Sequence, residues 1–180
     1  MMNRLCIVLV LSLCLTCTGT LFAKPRTEVK TPELTVRLIE RTPEQIAAFY
    51  EARGFSKQMV QVLKAQCFLG VLIKNTSPHV IWLDLAGWTF TDQTGAVPRL
   101  DRTYWRDKWQ ALQIPMAHQS TFRWTLLPEK LDFRPDEREG GNILLPRRGH
   151  PLRIEAVFML DDGTQQKPVK IRFDDIRCPR

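Results

Sequence analysis

From residue 34 onward, apolar side chains return mostly at every second position, the period of strands that bury one face. Leu34, Val36 and Leu38 alternate with Thr35 and Arg37 over 33–40. The period then lengthens. Thr42-Pro43-Glu44-Gln45 offers a capping hydroxyl, a proline at the first helical position and a glutamine three residues after the cap. Ile46, Phe49, Tyr50 and Arg53 share one helical face, and Gly54 suits the left-handed residue that ends a helix. Ser56 opens a second helix carrying Met59, Val60 and Leu63, up to about Ala65.

The two-residue period resumes at Cys67, with Leu69, Val71 and Ile73 on one side of a strand that ends in the turn Asn75-Thr76-Ser77-Pro78. Residues 79–91, rich in Ile81, Trp82, Leu83, Leu85, Trp88 and Phe90, read as one returning strand closed by Asp92-Gln93-Thr94-Gly95. Further strands are expected around Phe122, Trp124 and Leu126, at 143–145, at 152–160 and at 169–173, with Asp161-Asp162-Gly163 as a hairpin turn. Gly140-Gly141 is expected to mark a loop inside the domain. About seven strands without βαβ alternation predict a mainly β chain, an antiparallel sandwich with a helical excursion at 43–65.

The run Gly70-Val71-Leu72-Ile73-Lys74-Asn75-Thr76-Ser77, the strand from Val80 to Phe90, the Asp92-Gln93-Thr94-Gly95 turn and Gly141-Asn142-Ile143-Leu144-Leu145-Pro146 together resemble bacterial extracytoplasmic immunoglobulin-like domains. The resemblance covers roughly residues 67–174 and implies an immunoglobulin-like β-sandwich, with no chemistry attached.

The first 23 residues stand apart. Arg4, an apolar run from Leu5 through Leu15, and small or polar residues ending at Ala23 follow the order of a secretory signal peptide, with cleavage expected after Ala23. The run is shorter than the roughly 20 apolar residues of a membrane span. The remaining 24–180 are expected to form a single periplasmic or secreted domain. Three of the five cysteines would leave with the leader. Cys67 and Cys178 are then expected to pair, since an oxidising compartment favours disulfides, and closing so long a loop stabilises by roughly 4–5 kcal/mol in the chain-entropy account.

The full chain carries 26 basic and 19 acidic residues, a formal charge of +7. The cations are interspersed with acids, as in Arg134-Pro135-Asp136-Glu137-Arg138, which argues against a nucleic-acid stripe and leaves an acidic protein, anionic glycan or lipid headgroup as partners. Arg147-Arg148-Gly149-His150 reads as an exposed loop. No G-x-S-x-G elbow occurs, His79, His118 and His150 stand alone, and Asp161-Asp162 and Asp174-Asp175 are better suited to turns or opposite strand faces than to paired catalysis. A non-enzymatic protein without a resident cofactor is expected.

The densest chemistry lies in 99–118. Arg102, Tyr104, Trp105, Arg106 and Trp109 fall within eight positions, and a helix over 103–111 places both indoles one turn apart with the arginines beside them. Two uses are open for the indoles: surface anchors in a binding patch, or closure of one end of the core together with Leu112 and Ile114. Met116 and His118 form a soft ligand pair that suits copper if a third ligand, Met159 or His79, comes near. The leading expectation is a periplasmic accessory or assembly protein that binds an envelope protein through this aromatic and basic segment or an exposed sheet edge. The alternative is a small-ligand or copper-binding module.

Overall fold

A computed structural model describes residues 27–180, so the expected leader at 1–23 lies outside the described residues. Ten strands and four α-helices follow in the order β1 (Glu28–Lys30), β2 (Leu34–Arg41), α1 (Pro43–Glu51), α2 (Lys57–Lys64), β3 (Gln66–Asn75), β4 (Val80–Asp84), β5 (Thr89–Asp92), β6 (Gly95–Ala96), α3 (Arg102–Ala111), α4 (Met116–Trp124), β7 (Lys130–Phe133), β8 (Arg138–Pro146), β9 (Leu152–Asp161) and β10 (Gln166–Ile176). The chain is mainly β, and its strands form two antiparallel sheets.

The first sheet runs β1-β2-β3-β8. In the second, β9 is central: β10 lines one side, while β4 and β5 share the other, at Val80↔Asp161 and Thr91↔Arg153 respectively. β7 extends the sheet beyond β4 and β6 beyond β5. The single strand expected over 79–91 is therefore two. A 3-10 turn at Leu85–Gly87 divides them, held where the Asp84 carboxylate accepts the Ala86 N–H at 2.9 Å.

Leu34, Val36, Leu69, Val71, Ile154 and Phe158 fill the space between the sheets. Because a strand alternates its faces, Phe68 and Leu144 point the other way, and there the helices cover them with Tyr50, Met59, Leu63 and Trp109. Leu72, also on the outer face of β3 but beyond the helical cover, is 42% exposed. The molecule thus has three layers, helices on sheet on sheet.

The helices begin and end where local chemistry directs. Gln45 N–H donates to Thr42 Oγ1 at 3.3 Å and Thr42 N–H to Gln45 Oε1 at 3.2 Å, a complete capping box. Gly54, at φ 75°, closes α1: its N–H donates to the Glu51 carbonyl and that of Phe55 to the Tyr50 carbonyl, the bond pair of a Schellman motif. Ser56 caps α2 through the Met59 N–H.

The expected strand around Phe122 is corrected: residues 116–124 form α4. Phe122 is buried while Trp124 is exposed, so the pair does not share a face as the alternation required. Beyond α4, Leu126 lies parallel to Asn142 of β8, with bonds from Asn142 N–H to the Thr125 carbonyl (2.9 Å) and from Leu127 N–H to the Asn142 carbonyl (3.0 Å). Together with Leu100 N–H on the Leu144 carbonyl, this segment covers the β8 edge. Gly140 and Gly141, expected in a loop, are part of β8 instead: a Cβ on Gly141 would collide with the backbone of Leu126 and Leu127 in the crossing chain, and one on Gly140 with Val71 and Leu72 of β3. The β10 edge is blunted differently, by Pro168 and by a bulge in which Asp174 and Asp175 oppose one residue of β9.

Cys67 and Cys178 are joined, Cα to Cα 5.3 Å. Beside them Arg147, expected in an exposed loop, is half-buried. Its guanidinium donates to the carbonyls of Gln66 (2.7 Å), Lys64 (3.2 Å) and Pro179, drawn there by carbonyls left over where α2 ends. Buried Asn75 ends β3 as predicted. Its amide donates to the carbonyls of His79 (2.7 Å) and Phe133 (2.9 Å), while its Oδ1 accepts Ser77 N–H and Oγ–H.

Gly141→Ala should destabilise the fold by about 1–3 kcal/mol through overpacking, against less than about 0.5 kcal/mol for Gly149→Ala, whose Cβ meets open space. Equal midpoints in urea unfolding would contradict the contact assigned to Gly141.

Candidate binding surface

α3 starts where Asp101 Oδ1 accepts the Tyr104 N–H at 2.8 Å. The helix expected over 103–111 is present, and it presents Trp105 and Trp109 inward, 2% and 1% exposed. Their rings lie 5.0 Å apart, and Phe122 of α4 packs against both at 4.9 and 5.3 Å. Tyr50 extends the cluster to Phe68 of β3. Of the two uses open for these indoles, core closure prevails, which corrects their assignment as surface anchors. Leu112 and Ile114 join the same cluster, so the apolar stripe of α3 is continuous and needs the sheet beneath it. Neither indole N–H has a hydrogen-bond partner among the described residues, a desolvation cost that the aromatic packing offsets.

Burial of that stripe turns Arg102, Tyr104 and Arg106 outward. Arg106 bonds its neighbour Asp107 at 2.8 Å, while the Arg102 side chain forms no hydrogen bond or ion pair among the described residues. α4 starts after Pro115 without a side-chain cap, and Gln119 donates back to the Ile114 carbonyl at 2.7 Å. Between the helices runs a groove of about 470 Å³. Arg102, Arg106 and Gln110 wall it from α3 and Met116, Gln119 and Arg123 from α4, both sets at helical spacing. The Arg123 side chain is also without a polar partner among the described residues. Met116 is 72% exposed and Trp124 82%, the two highest values among the exposed large apolar side chains.

Met116 and His118 do not converge. Two positions apart on a helix they point roughly 200° from one another, whereas on a strand they would share a face. Met116 lines the groove and His118 lies against the Phe55 ring at 5.4 Å. Met159 and His79 belong to the second sheet and its entry turn. Among the described residues no three His, Cys, Asp or Glu stand close enough to hold a metal.

The paired carboxylates have structural work. Asp162 accepts Thr164 Oγ1 (2.6 Å), Thr164 N–H and Gln165 N–H in the β9–β10 turn, and those bonds hold it well below the usual carboxylate range. Asp174 is held low by its bonds with Arg172 and then Arg153 at the bulge.

Sequence reasoning placed Arg102, Tyr104 and Arg106 correctly at the surface and overlooked Arg123 and Trp124. A signal was available: no acidic residue occurs from Lys108 to Pro128, a stretch that also begins α4 at a proline.

No family model and no curated protein matches this chain. Among solved structures it is similar to the "crystal structure of a putative lipoprotein (ycdA) from Bacillus subtilis", at 14% identity and a TM-score of 0.42 over 83% of this chain. The match spans 38% of the length of that protein.

Tyr50 sits beneath this surface, its hydroxyl 2.7 Å from Thr125 Oγ1, and burial pushes its pKa up to about 12. The folded state therefore favours the neutral phenol. That stability is complete below the ordinary tyrosine value near 10 and is lost as pH rises through about 12, by about 3 kcal/mol. Alkaline unfolding followed by circular dichroism should show this loss, and Tyr50→Phe should remove that part of the pH dependence. By urea unfolding, Trp105→Ala should cost about 3–5 kcal/mol and Trp124→Ala less than about 0.5 kcal/mol, the reverse of what two surface anchors on α3 would give.

Proposed function

We propose that this protein is a non-enzymatic extracytoplasmic factor, periplasmic or secreted, that binds another component of the cell envelope through the α3–α4 surface. The observation that carries the reading is the pairing of Trp124 and Met116, both largely exposed, with Arg102 and Arg123, whose charges no described residue neutralises. Apolar side chains held out in water gain by burial against a partner, and a tryptophan is among the residue types that most often dominate such energies. Arginines at the rim add orientation and select against cationic competitors.

The disulfide supports an oxidising compartment. The leader expected at 1–23 supports the same placement. Binding needs no moving part here: the groove walls rest on buried aromatic rings, so the surface is preorganised and little ordering entropy is lost on contact.

Crosslinking in intact cells tests the proposal. A specific envelope component should be captured by the native protein and by Trp82→Ala, an exposed tryptophan on the far sheet, and lost in Trp124→Ala/Arg123→Gln. Capture that survives the double substitution would overturn the assignment of the surface, and a recovered enzymatic activity abolished by single acidic substitutions would overturn the class.

A further inference from the structure

The partner's chemistry can be narrowed, on the premise that the α3–α4 surface is the binding surface. We infer that its occupant is the face of an anionic phospholipid bilayer, on which the α3–α4 hairpin docks peripherally.

Charge is the first ground. From Lys108 to Pro128 the chain carries no carboxylate, although it has 19 acids in 180 residues. The two acids at α3 are engaged, Asp101 on the Tyr104 N–H and Asp107 on Arg106. Arg102 and Arg123 face the groove from opposite walls, unpaired among the described residues. A guanidinium fork matches two phosphate oxygens, and a bilayer supplies a plane of them, so a surface whose unpaired guanidiniums face outward and whose two acids are already bonded gains by the contact. A folded protein partner presents mixed charge and imposes no such exclusion.

Shape is the second. Trp124 and Met116 stand out from α4, and the groove beside Met116 is floored by the almost fully buried rings of Trp105, Trp109 and Phe122. Protruding apolar groups suit a deformable medium. An indole prefers the headgroup boundary, and an unbranched thioether adapts to acyl chains. Among the described residues no helix is long and apolar enough to cross a membrane, so contact by these helices would be at the surface.

The purified, oxidised protein should co-sediment with vesicles of phosphatidylglycerol and phosphatidylethanolamine and not with vesicles of phosphatidylcholine alone. Binding should weaken with added salt, and inorganic phosphate should compete no better than chloride at equal ionic strength. Trp124→Ala should abolish co-sedimentation, Arg102→Gln/Arg123→Gln should lower the partition coefficient about thirtyfold at roughly fivefold per cation, and Trp82→Ala should change nothing. Equal binding to both vesicle types, or binding indifferent to Trp124, overturns the inference. Absence of vesicle binding alongside cellular crosslinking that depends on Trp124 would give the surface to a protein partner, ending this inference while leaving the proposed function standing. Loss of both would end both.

Discussion

A strand whose side chains are apolar on both faces cannot leave either face in water, and the first half of β3 is such a strand. Cys67, Leu69 and Val71 need the second sheet, and Phe68 needs something on the opposite side. The helical layer answers that need. Gly70, the next outward position, leaves space for Ile39 and Arg41 of the neighbouring strand, and by Leu72 the helices have ended and the sheet meets solvent. The order helix, sheet, sheet follows from one strand's double demand more than from the propensity of any helix, since elements of eight to ten residues are marginal alone.

The same demand shapes the candidate binding surface. Trp105, Trp109 and Phe122 are committed to covering β3 and β8, so α3 and α4 lie with fixed faces down; what remains exposed includes Arg102, Arg106, Met116 and Arg123, which line the groove, and Trp124, which does not. In the proposed reading, contact with a partner falls to the exposed side of the two helices, while the buried rings that pack on the sheet also floor the groove. The exposed residues are free to vary without cost to the fold.

Much of this was legible from residue patterns. The capping box at Thr42, the glycine stop at Gly54, the turns at Asn75, Asp92 and Asp161, and the alternation of β2, β3, β9 and β10 all depend on neighbours in sequence, and each is present. Most of what escaped depends on distant chain. The division of residues 79–91 is the local exception, made where the Asp84 carboxylate accepts the Ala86 N–H. Phe122, Trp124 and Leu126 alternate in identity, but only a tertiary frame shows that Trp124 points away from the core. Gly140 and Gly141 look like a loop until β3 is set beside the first and the chain at 126–127 is laid across the second. The tryptophans of α3 were assignable to either of two environments because an amphipathic stripe does not declare which face meets sheet and which meets solvent. Arg147 was misplaced since nothing local announces that three carbonyls from remote segments will converge on it.

The Cys67–Cys178 bond gives assembly a direction in time. A chain made from its amino end delivers Cys67 111 residues before its partner, so the thiol that opens β3 can find Cys178 only after the segments between them have been made. Because the described residues contain no other cysteine, an early oxidation has no wrong intramolecular match among them. Closure therefore reports that remote segments have met: a copy in which Cys67 is still a free thiol is one in which the head of β3 and the residues after β10 have not come together, and thiol reactivity distinguishes that copy from a folded one.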